Sequence, residues 1–172
     1  MTVMQTMTDS DMRERLAAFV ALEARLADAH RYEEWLELWD EECPEYFIPI
    51  DEGHSPGERV PIVYDDRQRL SERVMRLSGG YAHSQIPRHQ LARVVSNLEF
   101  APSSEAPDDA PGEEYQVAGK FILAAWRHGV QDVYAGDVSY WIRAEADRCV
   151  LRKKQVVLIN RHDALGNLTF IV

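Results

Sequence analysis

The sequence predicts an α+β fold with a curved antiparallel sheet wrapped around N-terminal helices, and three observations predict it. Apolar residues in the first half recur three and four positions apart, the period of a helix face; those of the second half fall in long runs with the character of strands. The helical segments come first and the strands follow as a meander, so the helices pack on one side of the sheet. The chain has 172 residues, the length of one ordinary domain, and shows no internal repeat or boundary. The expected organisation is a disordered N-terminal segment over 1–10 and a single α+β domain over 11–172.

Each element has its own signal. Asp9 or Ser10 caps a first helix that runs uninterrupted by Gly or Pro to Ala29, with Leu16, Phe19, Leu22 and Leu26 on its buried face. A second helix spans Tyr32–Asp40, with Trp35, Leu36 and Trp39 inward and Pro44 beyond its end. Tyr46–Ile50 is a short strand, and the Gly- and Pro-bearing stretch 51–61 is a loop. Asp65 and Asp66 open a third helix with acids at its positive end; Leu70, Val74 and Leu77 form its stripe, and Gly79-Gly80 stops it.

The remaining segments read as strands. Val94–Phe100 alternates, with Val94, Ser96, Leu98 and Phe100 on one face. Residues 101–114 hold three prolines and five acids and form a mobile polar excursion. Tyr115–Arg127 and Val130–Arg143 are strands joined at His128-Gly129. Cys149–Asn160 follows the Asp147-Arg148 turn, and Leu168–Val172 is a last short strand.

Composition narrows the function. Nineteen basic against 29 acidic residues give a net charge of −10, the wrong sign for a nucleic-acid partner. No apolar run reaches 18 residues and the N-terminus lacks an apolar core, so neither a membrane span nor a secretory signal is expected, and the reading is a cytoplasmic protein. Cys43 and Cys149 are read as two buried thiols in a reducing compartment. No nucleotide-binding glycine motif, nucleophile elbow or paired His/Cys spacing occurs, so no metal or cofactor site is expected on the chain.

Two kinds of site remain. In an enzyme, the mouth of a cone formed by sheet and helices would raise the pKa of a carboxylate, and Asp28 is the candidate, with Tyr32, Tyr46 and His89 as polar partners. The plain alternative makes Asp28 a solvated helix end and the tyrosines core-edge residues. The tryptophans Trp35, Trp39, Trp126 and Trp141 serve as ligand-stacking groups, interface anchors or core, with Trp35 and Trp39 the interface candidates, and Arg69, Arg73 and Arg76 on the third helix meet a partner's acids or water.

Several motifs then coincide in order: Arg31-Tyr32-Glu33-Glu34-Trp35-Leu36; Tyr64-Asp65-Asp66 before Leu70, Arg73-Val74 and Arg76-Leu77; Pro87 and Val95-Ser96-Asn97; Lys153-Lys154, Val156, Leu158 and Asn160; and Asn167-Leu168-Thr169-Phe170. From about Arg15 to Val172 the chain resembles the small (β) subunit of Rieske non-haem iron aromatic-ring-hydroxylating dioxygenases. The resemblance implies a cystatin-like cone of the scytalone dehydratase and steroid isomerase type, and a structural role without catalytic residues. It implies a catalytic large (α) subunit, three large with three small chains, and self-association of the small chains as a trimer. It places the Rieske [2Fe-2S] cluster and a mononuclear Fe(II) on the large subunit, with electrons supplied indirectly by a ferredoxin or reductase. The holoenzyme would hydroxylate an aromatic compound using O2 and NAD(P)H. The competing reading is a stand-alone cone-fold dehydratase or isomerase using Asp28.

Two departures bear on this. His89-Gln90 stands where many relatives carry Ser-Arg. Arg93 occupies the place where dehydratase-like cousins put a catalytic His, and a permanently charged guanidinium is a poor base. Arg93 therefore joins the candidate interface residues.

Overall fold

The computed structural model describes residues 9–50, 60–79, 87–106, 112–163 and 168–172. The expectations for residues 1–8, for most of the 51–61 loop, for Gly80, for the middle of the acidic excursion and for Asn167 lie outside these. The elements are α1 (Asp9–Asp28), α2 (Tyr32–Glu37), β1 (Glu45–Ile48), β2 (Val63–Asp65), α3 (Arg67–Ser78), β3 (Gln90–Pro102), β4 (Glu113–Arg127), β5 (Val130–Ala144) and β6 (Cys149–Leu158). The six strands form one sheet in the order β2-β1-β6-β5-β4-β3.

The meander β3 to β6 is antiparallel, as its hairpin spacing requires. At the β4–β5 turn His128 and Gly129 have φ of 52° and 79°, the positive pair that a two-residue hairpin matching the strand twist needs. The sheet is not wholly antiparallel. β1 pairs parallel with β6, because the chain crosses from the helices into the sheet far from β6 in sequence. The three-residue β2, too short for a periodic signal, pairs with β1.

Curvature comes from local irregularities. Asn97 adopts φ 53° at a register shift between Ser96 and Glu99, and a second shift separates Trp141 from Ile142. Gly119 lies beside the first bend, where a Cβ would sit 2.8 Å from the Ser96 carbonyl oxygen, and Gly136 marks a close approach of β5 to β6 away from both. A Cβ on Gly136 would sit 2.0 Å from the Val157 carbonyl oxygen. The bulge also corrects the expected face of β3: Arg93 and Val95 lie on the sheltered face before it and Leu98 and Phe100 after it, while Val94 is exposed.

The helices cover the concave face, with α1 against β3 and α2 against α1 and α3. On α1 the buried residues are Leu16, Phe19, Val20, Glu23, Ala24, Leu26 and Ala27. Leu22, expected inward, is 36% exposed, and Glu23 takes the inward place. α2 ends at Glu37, three residues short of the expected end, because Leu38 and Asp40 bond to the Leu151 backbone as a bridge to the sheet. α3 starts at Arg67 with Asp66 as its N-cap, accepting from the Arg69 amide at 3.0 Å, so Asp65 belongs to β2.

Three further expectations change. The polar excursion is shorter than expected, since β3 runs on to Pro102 and β4 begins at Glu113. Leu168–Val172 forms no strand, although Phe170, Ile171 and Val172 are buried. Cys43 is exposed and Cys149 only half-buried, not two core thiols, because they sit at the margins where β1 and β6 begin.

The Gly136 contact generates a prediction. Gly136→Ala forces a methyl against backbone that cannot rotate away, and overpacking of this kind costs about 1–3 kcal/mol. Thermal unfolding should show Tm lowered by roughly 3–10 °C; an unchanged Tm would mean that the strands are free to separate there.

Candidate functional site

The polar centre of the cone is assembled from both halves of the chain. Lys154 on β6 shares its inward face with Val156 and Leu158 and is almost wholly buried. Its ammonium donates to Glu23 Oε1 of α1 and to the Val172 oxygen, both at 2.8 Å. The Trp35 indole of α2 donates to the same Glu23 oxygen at 2.7 Å. Tyr46 of β1 donates its hydroxyl to the Val172 oxygen at 3.0 Å and accepts from the Val172 amide at 3.2 Å. The rings of Tyr46 and Tyr140 stand 5.8 and 5.6 Å from the ammonium.

The charges shape one another. Burial pushes the Glu23 carboxyl up, but the Lys154 ammonium, with Arg93 behind it, outweighs burial and holds it below the ordinary carboxylate range. Burial raises the Tyr46 and Tyr140 hydroxyls above their ordinary value, so neither supplies a phenolate.

Asp28 and Arg93 form a clamp at the rim. Asp28 accepts from Arg93 Nε at 2.6 Å and from the Arg93 amide at 2.9 Å, and Arg93 Nη2 donates to the Ile171 carbonyl at 2.7 Å. The Arg93 side chain is 3% exposed, so this candidate interface residue is spent inside the chain. Asp28, the candidate acid–base group, lines with Arg25, Arg93 and Leu98 an open groove of about 290 Å³ between α1 and β3, but both its oxygens are engaged by Arg93. An acid–base catalyst needs a free oxygen facing a substrate space.

Tyr32 and His89 meet beside this rim. Tyr32 shares a 2.6 Å hydrogen bond with His30 Nδ1, and the other His30 nitrogen bonds to the His89 carbonyl at 2.8 Å. Thr169 contacts the His89 ring at 3.3 Å. Burial pushes the Tyr32 hydroxyl up to about 12. Burial, then Arg127, pushes the His89 imidazole down. The cavity that His30, Tyr32, Leu77, Arg88, His89 and Thr169 enclose is about 10 Å³, room for one water at most. The candidate pocket residues are thus divided: Asp28 in the clamp, Tyr46 in the core, Tyr32 and His89 at a closed mouth.

The other candidates also divide. Trp35 and Trp39 are buried and pack edge-on with ring centres 5.2 Å apart, so they anchor the core. Arg73 pairs with Asp65 through Nε and, at 3.3 Å, through Nη2, and lies over the Tyr46 ring. Arg69 donates to the Tyr64 carbonyl at 3.1 Å from an exposed position. Arg69 and Arg76, with Glu72 and the exposed Met75, present a mixed-charge surface on α3. Among the described residues no three His, Cys, Asp or Glu side chains converge to hold a metal, and no helix is long and apolar enough to cross a membrane.

Glu23 and the Val172 oxygen are not among the residues that the sequence singles out, and Lys154 enters there only within the Lys153-Lys154 motif, with no role assigned. A signal exists for Lys154, which alternates in phase with Val156 and Leu158; none exists for its distant partners.

Known proteins share this architecture. Residues 22–162 match the family described as the ring-hydroxylating beta subunit. The small oxygenase component of the p-cumate 2,3-dioxygenase system of Pseudomonas putida is 33% identical over 124 residues, covering 70% of this chain and 64% of that protein. The crystal structure of the beta subunit of benzoate 1,2-dioxygenase from Burkholderia mallei superposes with a TM-score of 0.71 at 22% identity, covering 98% of this chain and all of that one. An NTF2-like protein with a cystatin-like fold from Novosphingobium aromaticivorans gives 0.58 at 12% identity, covering 91% and 93% of the two chains.

The buried pair yields a prediction. Lys154→Met leaves the Glu23 carboxylate unpaired and should cost about 3–5 kcal/mol. Adding Glu23→Gln, which keeps an acceptor for Trp35, should recover about 1–3 kcal/mol as a coupling energy. Glu23 has a lowered folded pKa, so its contribution is complete above the unfolded value of about 4.3 and is lost as pH falls through the folded value. Urea denaturation of the cycle at neutral and acid pH checks this; additive losses at neutral pH would contradict the pairing.

Proposed function

The chain belongs to the ring-hydroxylating β-subunit family, and on that premise we propose that it is the non-catalytic small subunit of a multicomponent aromatic-ring-hydroxylating dioxygenase. The observation that carries the non-catalytic role is the occupied cone. Both oxygens of Asp28 are held by Arg93, and Phe170–Val172 are packed into the core. The partner is a large oxygenase subunit, three large with three small chains, and it supplies the substrate site.

That partner also carries the Rieske [2Fe-2S] cluster and the mononuclear Fe(II). Among the described residues no cluster of His, Cys, Asp or Glu fits the mononuclear iron, and the cysteines do not fit the Rieske cluster. A Rieske cluster takes two Cys and two His in paired spacings, whereas Cys43 precedes β1 and Cys149 opens β6 with no paired His. Electrons reach the large subunit through a ferredoxin or reductase, and the assembly works in the cytoplasm on an aromatic hydrocarbon or acid. The small chain contributes a rigid body and a docking surface. On that surface Arg69 and Arg76 of α3 are the candidate contacts to a partner's acids.

One reconstitution tests both halves of the proposal. With the large subunit, Asp28→Asn should leave the hydroxylation rate per assembled complex within a few-fold of wild type. A catalytic acid–base group would contribute on the order of 10²–10⁴-fold. Arg76→Glu should weaken assembly by about 2–5 kcal/mol if its contact is buried, read from complex mass by light scattering. Arg76 is the better probe than Arg73, whose reversal would break the internal pair with Asp65. A rate collapse with assembly intact would favour the dehydratase-like reading, and unchanged assembly for Arg76→Glu and Arg69→Glu would remove α3 from the interface.

A further inference from the structure

Residues 168–172 lie in the cone without belonging to the sheet. Phe170, Ile171 and Val172 are at most 2% exposed, yet the segment forms neither ladder nor helix. Among the described residues its hydrogen bonds run to side chains elsewhere in the chain. Tyr46 of β1 brackets Val172, accepting from its amide at 3.2 Å and donating to its oxygen at 3.0 Å. Lys154 of β6 donates to the same oxygen at 2.8 Å, and Arg93 of β3 to the Ile171 carbonyl at 2.7 Å. The Thr169 hydroxyl meets the His89 ring at 3.3 Å. Phe170 meets the rings of His89 and of Tyr134 on β5 edge-on, with centres 5.1 and 5.5 Å away. A segment woven into a fold satisfies most of its backbone with backbone. This one is received as a bound peptide is, by groups that take its main chain and by pockets for its apolar side chains.

The receiving groups do not need the segment to hold their places. Lys154 is fixed by Glu23 at 2.8 Å, and Arg93 by Asp28 at 2.6 Å. Tyr46 sits in a strand paired on both sides, and its ring packs against Trp35 and Trp39 with centres 6.1 Å away in each case. Tyr134 belongs to β5, which is laddered to β4. Donors held in place in advance cost a ligand little to engage, which is what separates a binding site from a mutual collapse. Each cation already has its own carboxylate; what it has left to offer is a hydrogen-bond donor. The complement is a run of main-chain oxygens carried between aromatic and branched apolar side chains, that is, a short apolar peptide.

We infer that the concave interior bounded by Tyr46, Arg93, Tyr134 and Lys154 is a binding site for a short apolar peptide, and that residues 168–172 fill it as a ligand carried on the same chain. Filled in this way, the interior of the intact chain is closed to other ligands. The site is a property of the cone alone and goes beyond the proposed function, with or without a large subunit. It also gives the buried lysine a purpose, because an apolar side chain at 154 could fill the space but could not donate to the Val172 oxygen.

The test uses the full-length chain with a site-specific protease sequence placed between Asp163 and Leu168. Cleavage is made in urea, so that access to the site is not in question, and the urea is then removed with both parts present. The uncleaved chain, taken through the same steps, is the reference. The parts should reassemble into one species on size exclusion, with the far-UV circular dichroism of the reference. Refolded with a fluorescently labelled peptide of residues 168–172 in excess, the body should take up the label with a dissociation constant on the order of 10 μM or tighter. An ester in place of the amide between the last two residues removes the donor to Tyr46 and weakens the acceptor for Arg93. It should bind about 10-fold more weakly while leaving the protein untouched. Tyr46→Phe in the body should weaken the amide peptide more than the ester, because the two changes remove the same bond. Should Tyr46→Phe fail to refold, the ester decides the question alone. Parts that stay unfolded or apart overturn the inference, since the segment is then core that cannot be separated. A body that folds but takes up no label overturns it as well. So does a scrambled peptide bound as tightly as the native order, or an ester of unchanged affinity, since either reduces the site to unspecific apolar filling.

Discussion

Lys154 enters the middle of the cone from β6 and has to be neutralised there, and much of the interior is arranged around that requirement. A lone ammonium in an apolar core costs several kcal/mol, which only a paired charge with good hydrogen bonds offsets. Glu23 supplies the charge, the Val172 oxygen a second acceptor, and the two tyrosine rings a polarisable wall. Trp35 is fixed in turn because its indole needs the Glu23 oxygen, and Tyr46 because it brackets Val172 through hydroxyl and amide. One ion pair thereby ties α1, α2, β1, β6 and the residues around Val172 together.

The same tie decides what the cone is for. A cone with an open mouth offers a carboxylate a low-dielectric pocket, the condition for acid–base chemistry. Here Phe170, Ile171 and Val172 belong to the packed core, and the Arg93–Asp28 clamp holds Ile171 from the rim. Polar groups that could serve an enzyme instead serve packing.

Much of the architecture is legible in the periodicity of the sequence. Long apolar runs locate β4, β5 and β6, the Leu70/Val74/Leu77 stripe locates α3, and His128-Gly129 locates the hairpin, because each rests on local physics. The errors fall where a distant partner intervenes. Leu22 outranks Glu23 as a core residue on hydrophobicity alone, and only Lys154, 131 positions away, makes Glu23 the inward one. Val94 and Leu98 share a parity in the sequence, but a single residue at φ 53° resets the alternation between them. Asp28 and Arg93 each stand out in the sequence, one as an acid and one as a replaced base, yet their bond across 65 positions leaves no local trace. The residues from Leu168 onward read as a strand because they are apolar; they are buried as filling instead, without a ladder.

The central claim is that the cone interior is packed core and not a ligand pocket, and the Trp35 indole N–H reports on it directly. Its hydrogen exchange, followed by NMR on the full-length chain with and without a saturating aromatic acid, is the decisive measurement. A donor locked to buried Glu23 at 2.7 Å should exchange only through global unfolding, with neither rate nor chemical shift changed by the aromatic compound. Rapid exchange, or a shift that titrates with the aromatic acid, would mean that the cone opens to ligands, and the structural role assigned to this chain would fail.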